Sequence, residues 1–97
     1  MSYFEWDESK AERNRLLHGI GFNDAAHALL GMALTRPSPR GEENRFSSIH
    51  ECDGQMIVVV WTPRAGFIRI ISARRARRNE RAQFDQGVSG SAATRRH

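Results

Sequence analysis

The feature that most constrains the fold is a turn dipeptide, Asp53-Gly54, followed by a continuous apolar run from Met56 to Trp61. Both turn residues tolerate the positive φ of a two-residue hairpin turn, so the chain on either side is predicted to pair as antiparallel strands. An apolar run without polar alternation is typical of a strand that is covered on both faces. The pattern therefore predicts a sheet whose central strand runs from Gln55 to Thr62.

Turn and capping signals place the other elements around this strand. Asp7 is suited to cap a helix from Glu8 to His18, with Gly19 as its left-handed C-terminal cap. The other predicted elements are strands at 3–6, 33–36, 45–51 and 67–71, a helix through Ala25, Ala26, Leu29 and Leu30 closed by Gly31, and a terminal helix at 73–86. The order β-α-α-β-β-β-β-α predicts an α+β domain with an antiparallel meander and a C-terminal helix that returns from the last strand.

Length and composition predict one domain followed by a tail. A chain of 97 residues fits a single compact domain with a modest core, which we expect to occupy residues 1–86. Residues 87–97 offer too little apolar area to offset the entropy of ordering them, so this segment is predicted to be a flexible polar tail.

Arginine is concentrated around the end of the last predicted strand. Between Arg64 and Arg81 the chain has seven arginines and one acidic residue, Glu80. The formal net charge of +4 is modest, so the distribution of charge is more informative than its total. Guanidinium groups stay ionised and form forked hydrogen bonds with phosphate oxygens, and this cluster therefore favours a polyanionic partner such as RNA or DNA.

Several classes of protein are disfavoured by what the sequence contains. The one cysteine, Cys52, cannot form an internal disulfide, and no zinc-ligand spacing is present. The N-terminus has neither the basic region nor the long apolar segment of a leader, and the run from Met56 to Trp61 is too short to span a bilayer. We therefore expect a soluble, cytoplasmic protein without a metal, a cofactor or a membrane partner.

Two separated stretches resemble the signatures of a known family. The first comprises Phe4-Glu5-Trp6-Asp7, Lys10-Ala11, Asn14, His18-Gly19 and Phe22-Asn23-Asp24-Ala25-Ala26. The second comprises Val58-Val59-Val60, Arg69-Ile70-Ile71-Ser72-Ala73-Arg74-Arg75-Ala76 and Glu80-Arg81. In this order and spacing the chain resembles the BrnT toxins, members of the RelE-like ribonuclease toxin group of bacterial type II toxin–antitoxin pairs.

The resemblance implies a fold, an activity and a set of partners. The fold would be a small RelE-like α+β domain with a basic C-terminal helix. The activity would be that of a metal-independent endoribonuclease, which inhibits growth and translation by cleaving RNA. The partners would be a BrnA-like ribbon-helix-helix antitoxin that neutralises the toxin, and operator DNA that the toxin–antitoxin complex binds.

Two departures from the family pattern keep other functions open. The family commonly has lysine where this chain has Leu17 and tyrosine where it has Phe84. A phenol donates or accepts a proton, whereas Phe84 can only pack. One alternative is a catalytically weak or inactive homologue that binds nucleic acid or the antitoxin through the same arginines. The other is a structural partner whose arginine face only receives the antitoxin.

Cleavage without a metal needs positive charge on the developing pentavalent phosphate, and the arginines are suited to supply it. Helical spacing predicts one shared face for Arg74, Arg77, Arg78 and Arg81. Our hypothesis is a phosphate clamp of Arg69, Arg74 and Arg77. Further nucleic-acid contacts are predicted for Arg64, Arg75, Arg78, Arg81 and Lys10. The alternatives for this row are a solvated helix face and a surface that receives an acidic antitoxin.

Two titratable residues are candidates for proton transfer. Glu80 is the carboxylate of the basic helix, but neighbouring guanidinium groups lower a carboxyl pKa, so an orienting salt bridge is favoured over a role as base. His18 has an intrinsic pKa suited to proton transfer, although its place at a helix C-terminus also fits a capping cation. His27 and His50 are expected at surface or edge positions. Trp6 and Trp61 are expected to be buried rather than to stack on RNA bases.

Overall fold

The computed structural model describes residues 3–31, 33–38, 41 and 43–95, with side chains described as far as residue 86. Its elements are β1 (Phe4–Glu5), α1 (Glu8–His18), α2 (Phe22–Leu29), β2 (Leu34–Pro37), β3 (Phe46–Cys52), β4 (Gln55–Arg64), β5 (Phe67–Arg75) and α3 (Arg78–Arg95). The predicted α+β class and the predicted order of elements are both confirmed. No helix in this part of the chain is long and apolar enough to cross a membrane.

The strands form one five-stranded sheet in the order β1-β5-β4-β3-β2. From β2 to β5 the strands are antiparallel neighbours in chain order, which confirms the predicted meander, and β1 adds to β5 in parallel. The turn between β3 and β4 has φ angles of 51° at Asp53 and 78° at Gly54, as the dipeptide predicted. A second two-residue turn, at Ala65 and Gly66, joins β4 to β5 with φ angles of 51° and 86°.

Helices pack on both faces of the sheet, which we call the first face and the second face. The first face packs against α1 and α2, and its core includes Phe22, Ala25, Ile57, Val59 and Ile70. The second face packs against α3 through a smaller cluster of Ile49, Val58 and Phe84. Consecutive residues of β4 are therefore buried on opposite sides, which confirms that β4 is a central strand covered on both faces.

Asn14 closes the edge of β5 beyond the point where β1 ends. Its side chain is buried, donates from Nδ2 to the Ala73 carbonyl at 2.8 Å and accepts from the Ala73 amide at 3.1 Å. Nδ2 also donates to the Ile20 carbonyl at 3.0 Å, which fixes the connector between α1 and α2. The carboxamide thus takes the place of a neighbouring strand, so α1 is held against the sheet by polar contacts rather than by an apolar stripe.

The boundary between β5 and α3 differs from the prediction. The last strand was expected to end at residue 71, with a helix from 73 to 86. Instead Ala73, Arg74 and Arg75 pair with Val59, Val58 and Ile57 of the central strand. The Ala76 amide still donates to the Met56 carbonyl. Pairing with β4 overrides the helix propensity of alanine and arginine, and α3 begins only at Arg78.

The C-terminal end of α3 also lies beyond its predicted position. The helix continues to Arg95, so the segment predicted to be a tail is helical from residue 87 to that point. Residues 96 and 97 lie outside the described residues. The flexibility of the segment stays a prediction.

Candidate active site

Two of the three arginines predicted to form the phosphate clamp, Arg69 and Arg74, lie on the second face. Arg69 pairs with Thr62 and Arg74 pairs with Val58 in the register of β4 and β5. Residues five apart on a regular strand point to opposite faces. A β-bulge opposite Val60 and Trp61 inserts Ile71 and shifts the alternation by one. The bulge therefore brings Arg69 and Arg74 to the same side of the sheet.

Arg74 is held by Glu80, the third residue of α3. Arg74 Nη1 donates to Glu80 Oε1 at 2.7 Å and Nη2 donates to Oε2 at 2.8 Å, so the pair is bidentate and joins β5 to α3. Glu80 Oε1 also accepts from the Arg77 amide at 2.8 Å. This contact is one half of a capping box, in which the third helical residue bonds back to the cap residue. The same carboxylate of Glu80 thus caps the N-terminus of α3 and holds the Arg74 guanidinium in place.

These contacts define the ionisation of both groups. The hydrogen bonds from Arg74, more than the opposing effect of burial, lower the pKa of Glu80 from its ordinary value of 4.5 to about 2. Glu80 in turn raises the pKa of Arg74. Both groups are ionised at neutral pH, and the Glu80 oxygens are already occupied by donors. The geometry favours the orienting salt bridge over the alternative of a proton acceptor.

The Glu80 ion pair predicts a specific acid sensitivity. The folded pKa of about 2 lies below the ordinary value of 4.5, so the contribution of Glu80 to stability is complete above pH 4.5 and is lost as the pH falls towards 2. We expect Glu80→Gln to be less stable than the native chain at neutral pH, with the difference shrinking through this range. Urea unfolding at a series of pH values measures it. A difference that stayed constant with pH would contradict the assignment.

Arg69 is paired more loosely. Its Nη1 lies 3.6 Å from Glu5 Oε2, across the parallel pair of β1 and β5. At this distance the contact is an ion pair without hydrogen-bond geometry. Both side chains are half-buried. Among the residues that the structure describes, the Arg69 N–H donors and the Glu5 lone pairs thus have no hydrogen-bond partner to give up before they bind another group.

A groove lies beside the Arg74–Glu80 pair, between the edge strand β2 and the first turn of α3. Its volume is about 260 Å³. Among its lining side chains are Arg36, Ser47, Asn79, Glu80 and Gln83. Sequence reasoning missed Arg36, because nothing in a short edge strand shows that it will line a groove together with the first turn of α3. The groove extends the cationic part of the second face towards β2.

The predicted row of arginines along one helix face is wrong. Arg74 and Arg75 belong to β5, Arg77 is the residue before α3, and only Arg78 and Arg81 lie in its first turn. The side chains of Arg75, Arg77, Arg78 and Arg81 are exposed around the junction. The charge is thus spread over a strand end and a helix start, around the Arg74–Glu80 pair, and is not arranged as a stripe.

The other predicted site residues lie away from this junction. Arg64 is the last residue of β4 and pairs with Phe67. Lys10 is exposed in the first turn of α1, and its amide donates to the capping Asp7 side chain at 3.1 Å. His18 is the last residue of α1, the helix that packs on the first face. The structure therefore does not bring His18 together with Arg69 and Arg74.

The aromatic and histidine predictions have mixed outcomes. Trp6 packs edge-on against Phe22, and Trp61 stacks on Phe46 and donates to Ser48 Oγ at 2.8 Å. Both indoles contact the fold but are half-buried rather than fully buried as predicted. His27 is exposed, as predicted. His50 is 1% exposed, and its predicted surface position is wrong because it faces the covered side of β3. Phe84 is a core residue that seats α3 on the sheet.

A small α+β domain with arginines fixed on one sheet face has the cationic surface that is typical of proteins that bind polyanions. The family model described as "Ribonuclease toxin, BrnT, of type II toxin-antitoxin system" matches residues 6–80, which is 75 of the 97 residues. The chain belongs to this BrnT family of ribonuclease toxins. No curated protein matched it. The matched range ends at Glu80, so it contains the whole of β5 and the carboxylate that holds Arg74.

Proposed function

We propose that this toxin cleaves RNA on the second face of its sheet without a metal ion, and that a BrnA-like ribbon-helix-helix antitoxin neutralises it by covering that face. The observation that carries the proposal is the fixed position of Arg74, which Glu80 holds on the same face as Arg69. Preorganised cations stabilise developing charge without reorganising during the reaction. The proposed place of action is the cytoplasm, where RNA and a newly made antitoxin meet.

The geometry of Arg74 leaves one edge of its guanidinium for a phosphate. Of its five N–H groups, two donate to Glu80 and a third, on Nη1, donates to the Arg75 carbonyl at 3.2 Å. Within the described residues, the Nε–H and the second Nη2–H have no acceptor. These two lie on the side edge of the fork, which matches two phosphate oxygens. Glu80 therefore positions Arg74 and aims this edge, while Arg69 supplies a second cation.

Glu5 is the carboxylate that we assign to proton transfer. The Glu80 oxygens accept from three donors, whereas the one Glu5 side-chain contact within the described residues is the long ion pair with Arg69. A general base must keep a lone pair free and lie near the proton that it takes. In the proposed reaction the 2′-oxygen attacks the adjacent phosphorus while Glu5 takes its proton. The P–O bond to the 5′-oxygen of the next nucleotide breaks, and that oxygen takes up a proton from water. The products are a 2′,3′-cyclic phosphate and a 5′-hydroxyl end.

The proposal is tested with the purified chain and with cells. We expect cleavage of single-stranded RNA in excess EDTA, ends of the type just given, and growth arrest on induction that co-expression of the adjacent antitoxin gene relieves. In the same assay Glu5→Gln should lower kcat more than it raises KM. RNA that stays intact in EDTA but is cut when a divalent ion is added would contradict metal independence. Binding without any cleavage would favour the inactive binding module.

The proposed antitoxin has a second consequence. Ribbon-helix-helix proteins place strands in the major groove of DNA, so the neutralised complex is expected to bind its own operator. The arginines that remain uncovered, such as Arg78 and Arg81 on the exposed side of α3, would then lie free to contact the DNA backbone.

A further inference from the structure

Two exposed aromatic residues occupy neighbouring backbone positions at one corner of the sheet. Tyr3 is 66% exposed and Phe67 is 43% exposed. The Ile68 amide donates to the Tyr3 carbonyl at 2.8 Å, which extends the parallel pairing of β1 and β5 by one residue and sets Tyr3 beside Phe67. This corner lies at the N-terminal end of β5, directly after the turn of Ala65 and Gly66.

Other aromatic residues of the described chain have found partners or burial inside the fold. Phe22 and Phe84 are buried in the two cores, and the indoles of Trp6 and Trp61 pack against Phe22 and Phe46. Exposed aromatic area has no stabilising role in water, since its burial is what contributes free energy. Tyr3 and Phe67 differ from these residues, because the fold fixes their backbone position but leaves much of their side-chain surface exposed to water.

The register places these rings on the arginine side of the sheet. Phe67 and Arg69 are two residues apart on β5, beyond the bulge, and so share a face. Tyr3 directly precedes β1 and lies two residues before Glu5, which forms the ion pair with Arg69. Because the bond from the Ile68 amide to the Tyr3 carbonyl continues the pairing with β5, the strand alternation places Tyr3 on the side of Glu5. Arg64 is the cross-strand partner of Phe67. The corner thus combines two aromatic faces with two guanidinium groups at the spacing of neighbouring residues in a sheet.

We infer that Tyr3 and Phe67 form a subsite that stacks an unpaired nucleobase of the RNA substrate while Arg69 and Arg64 hold the adjoining phosphates. This inference rests on the proposed function, because it names how the same face holds its substrate. Aromatic stacking together with backbone cations is the usual means of binding single strands, and it tolerates any base because each has a π-face. The subsite makes the enzyme selective for unpaired RNA and largely indifferent to base identity at this position.

The test separates base stacking from charge. The probes are a short single-stranded 2′-O-methyl RNA, which lacks the attacking hydroxyl, and the same strand with abasic sites, at equal ionic strength. We expect the native chain to bind the base-bearing strand at least about fivefold more tightly than the abasic strand. This ratio is the smallest that the loss of one base–aromatic stack would give. Phe67→Leu and Tyr3→Leu should shrink this ratio, whereas Phe67→Trp should keep it. Leu17→Ala, an exposed apolar residue on α1, is the matched control and should change nothing.

Each other outcome overturns the inference in a distinct way. Equal binding of both strands by the native chain, with RNA cleavage intact, removes the subsite and leaves the proposed function standing. If Phe67→Leu keeps the ratio but no longer binds the antitoxin, the pair belongs to a protein interface. If neither strand binds and no RNA is cut, the subsite and the proposed function both fail.

Discussion

Arg69→Ala and Arg74→Ala should each lower kcat/KM for RNA cleavage about 100-fold or more, the usual loss when one preorganised donor to a developing oxyanion is removed. Each substitution takes away a guanidinium of the second face that the structure holds beside a carboxylate. Lysine at either position should recover little of the loss, since it keeps the charge but not the fork that matches two phosphate oxygens. Initial rates with a labelled single-stranded RNA measure the effect.

The matched control for these substitutions is Arg13→Ala, which removes the same charge from the exposed surface of α1. It should leave kcat/KM nearly unchanged, so a similar fall in all three variants would mean that only the total charge matters. Arg74→Ala also leaves Glu80 without its partner, so its folded state must be compared with that of the native chain by circular dichroism. Arg69→Ala has the simpler interpretation, because its contact with Glu5 is long.

Local signals in the sequence account for most of the fold. Asp53-Gly54 set the register of β3 and β4, because both residues adopt the positive φ that the turn requires. Asp7 accepts from the Lys10 amide and Gly19 adopts the left-handed conformation, so both ends of α1 were predictable from the chemistry of single residues. These features depend on neighbours within four positions along the chain, where sequence patterns are reliable.

The site depended on contacts that sequence patterns do not contain. The arginines were predictable as a cationic cluster, but their arrangement followed from the bulge at Ile71 and from the pairing of residues 73–75 with β4. Neither a bulge nor the length of a strand can be deduced from helix propensity, which alanine and arginine in this stretch favour. The approach of Glu5 to Arg69 likewise required the parallel addition of β1, which joins residues 64 positions apart.

The two faces of the sheet differ in content: the first carries most of the apolar core, and the second carries the fixed arginines. Repulsion among arginines destabilises a compact state, so each fixed guanidinium needs a carboxylate that the fold itself positions. Glu80 serves Arg74 from the start of α3, and Glu5 serves Arg69 from the end of β1. The apolar burial of the first face, mainly against α2, contributes the larger of the two apolar clusters, and the second face has only a small one.

Asn14→Asp should be the most destabilising single-atom change in the domain, with an expected loss of about 3 kcal/mol in the free energy of unfolding. The Nδ2 group donates to the carbonyls of Ala73 and Ile20, and an ionised carboxylate in its place would present an acceptor to both. The side chain is 7% exposed, so water cannot supply the missing donors. Urea unfolding at neutral pH measures the change.

The control for this substitution is Asn23→Ala, which alters an exposed asparagine of α2 and should change the unfolding free energy by no more than about 0.5 kcal/mol. A loss of the same small size for Asn14→Asp would mean that the edge of β5 does not depend on the carboxamide. If the large loss is found, the stability of β5 depends on α1, the helix whose Asn14 side chain bonds to the edge of the strand. The strand that carries Arg69 and Arg74 is then held along its edge by α1, whose contact with Ala73 uses none of the side chains that we propose to bind RNA.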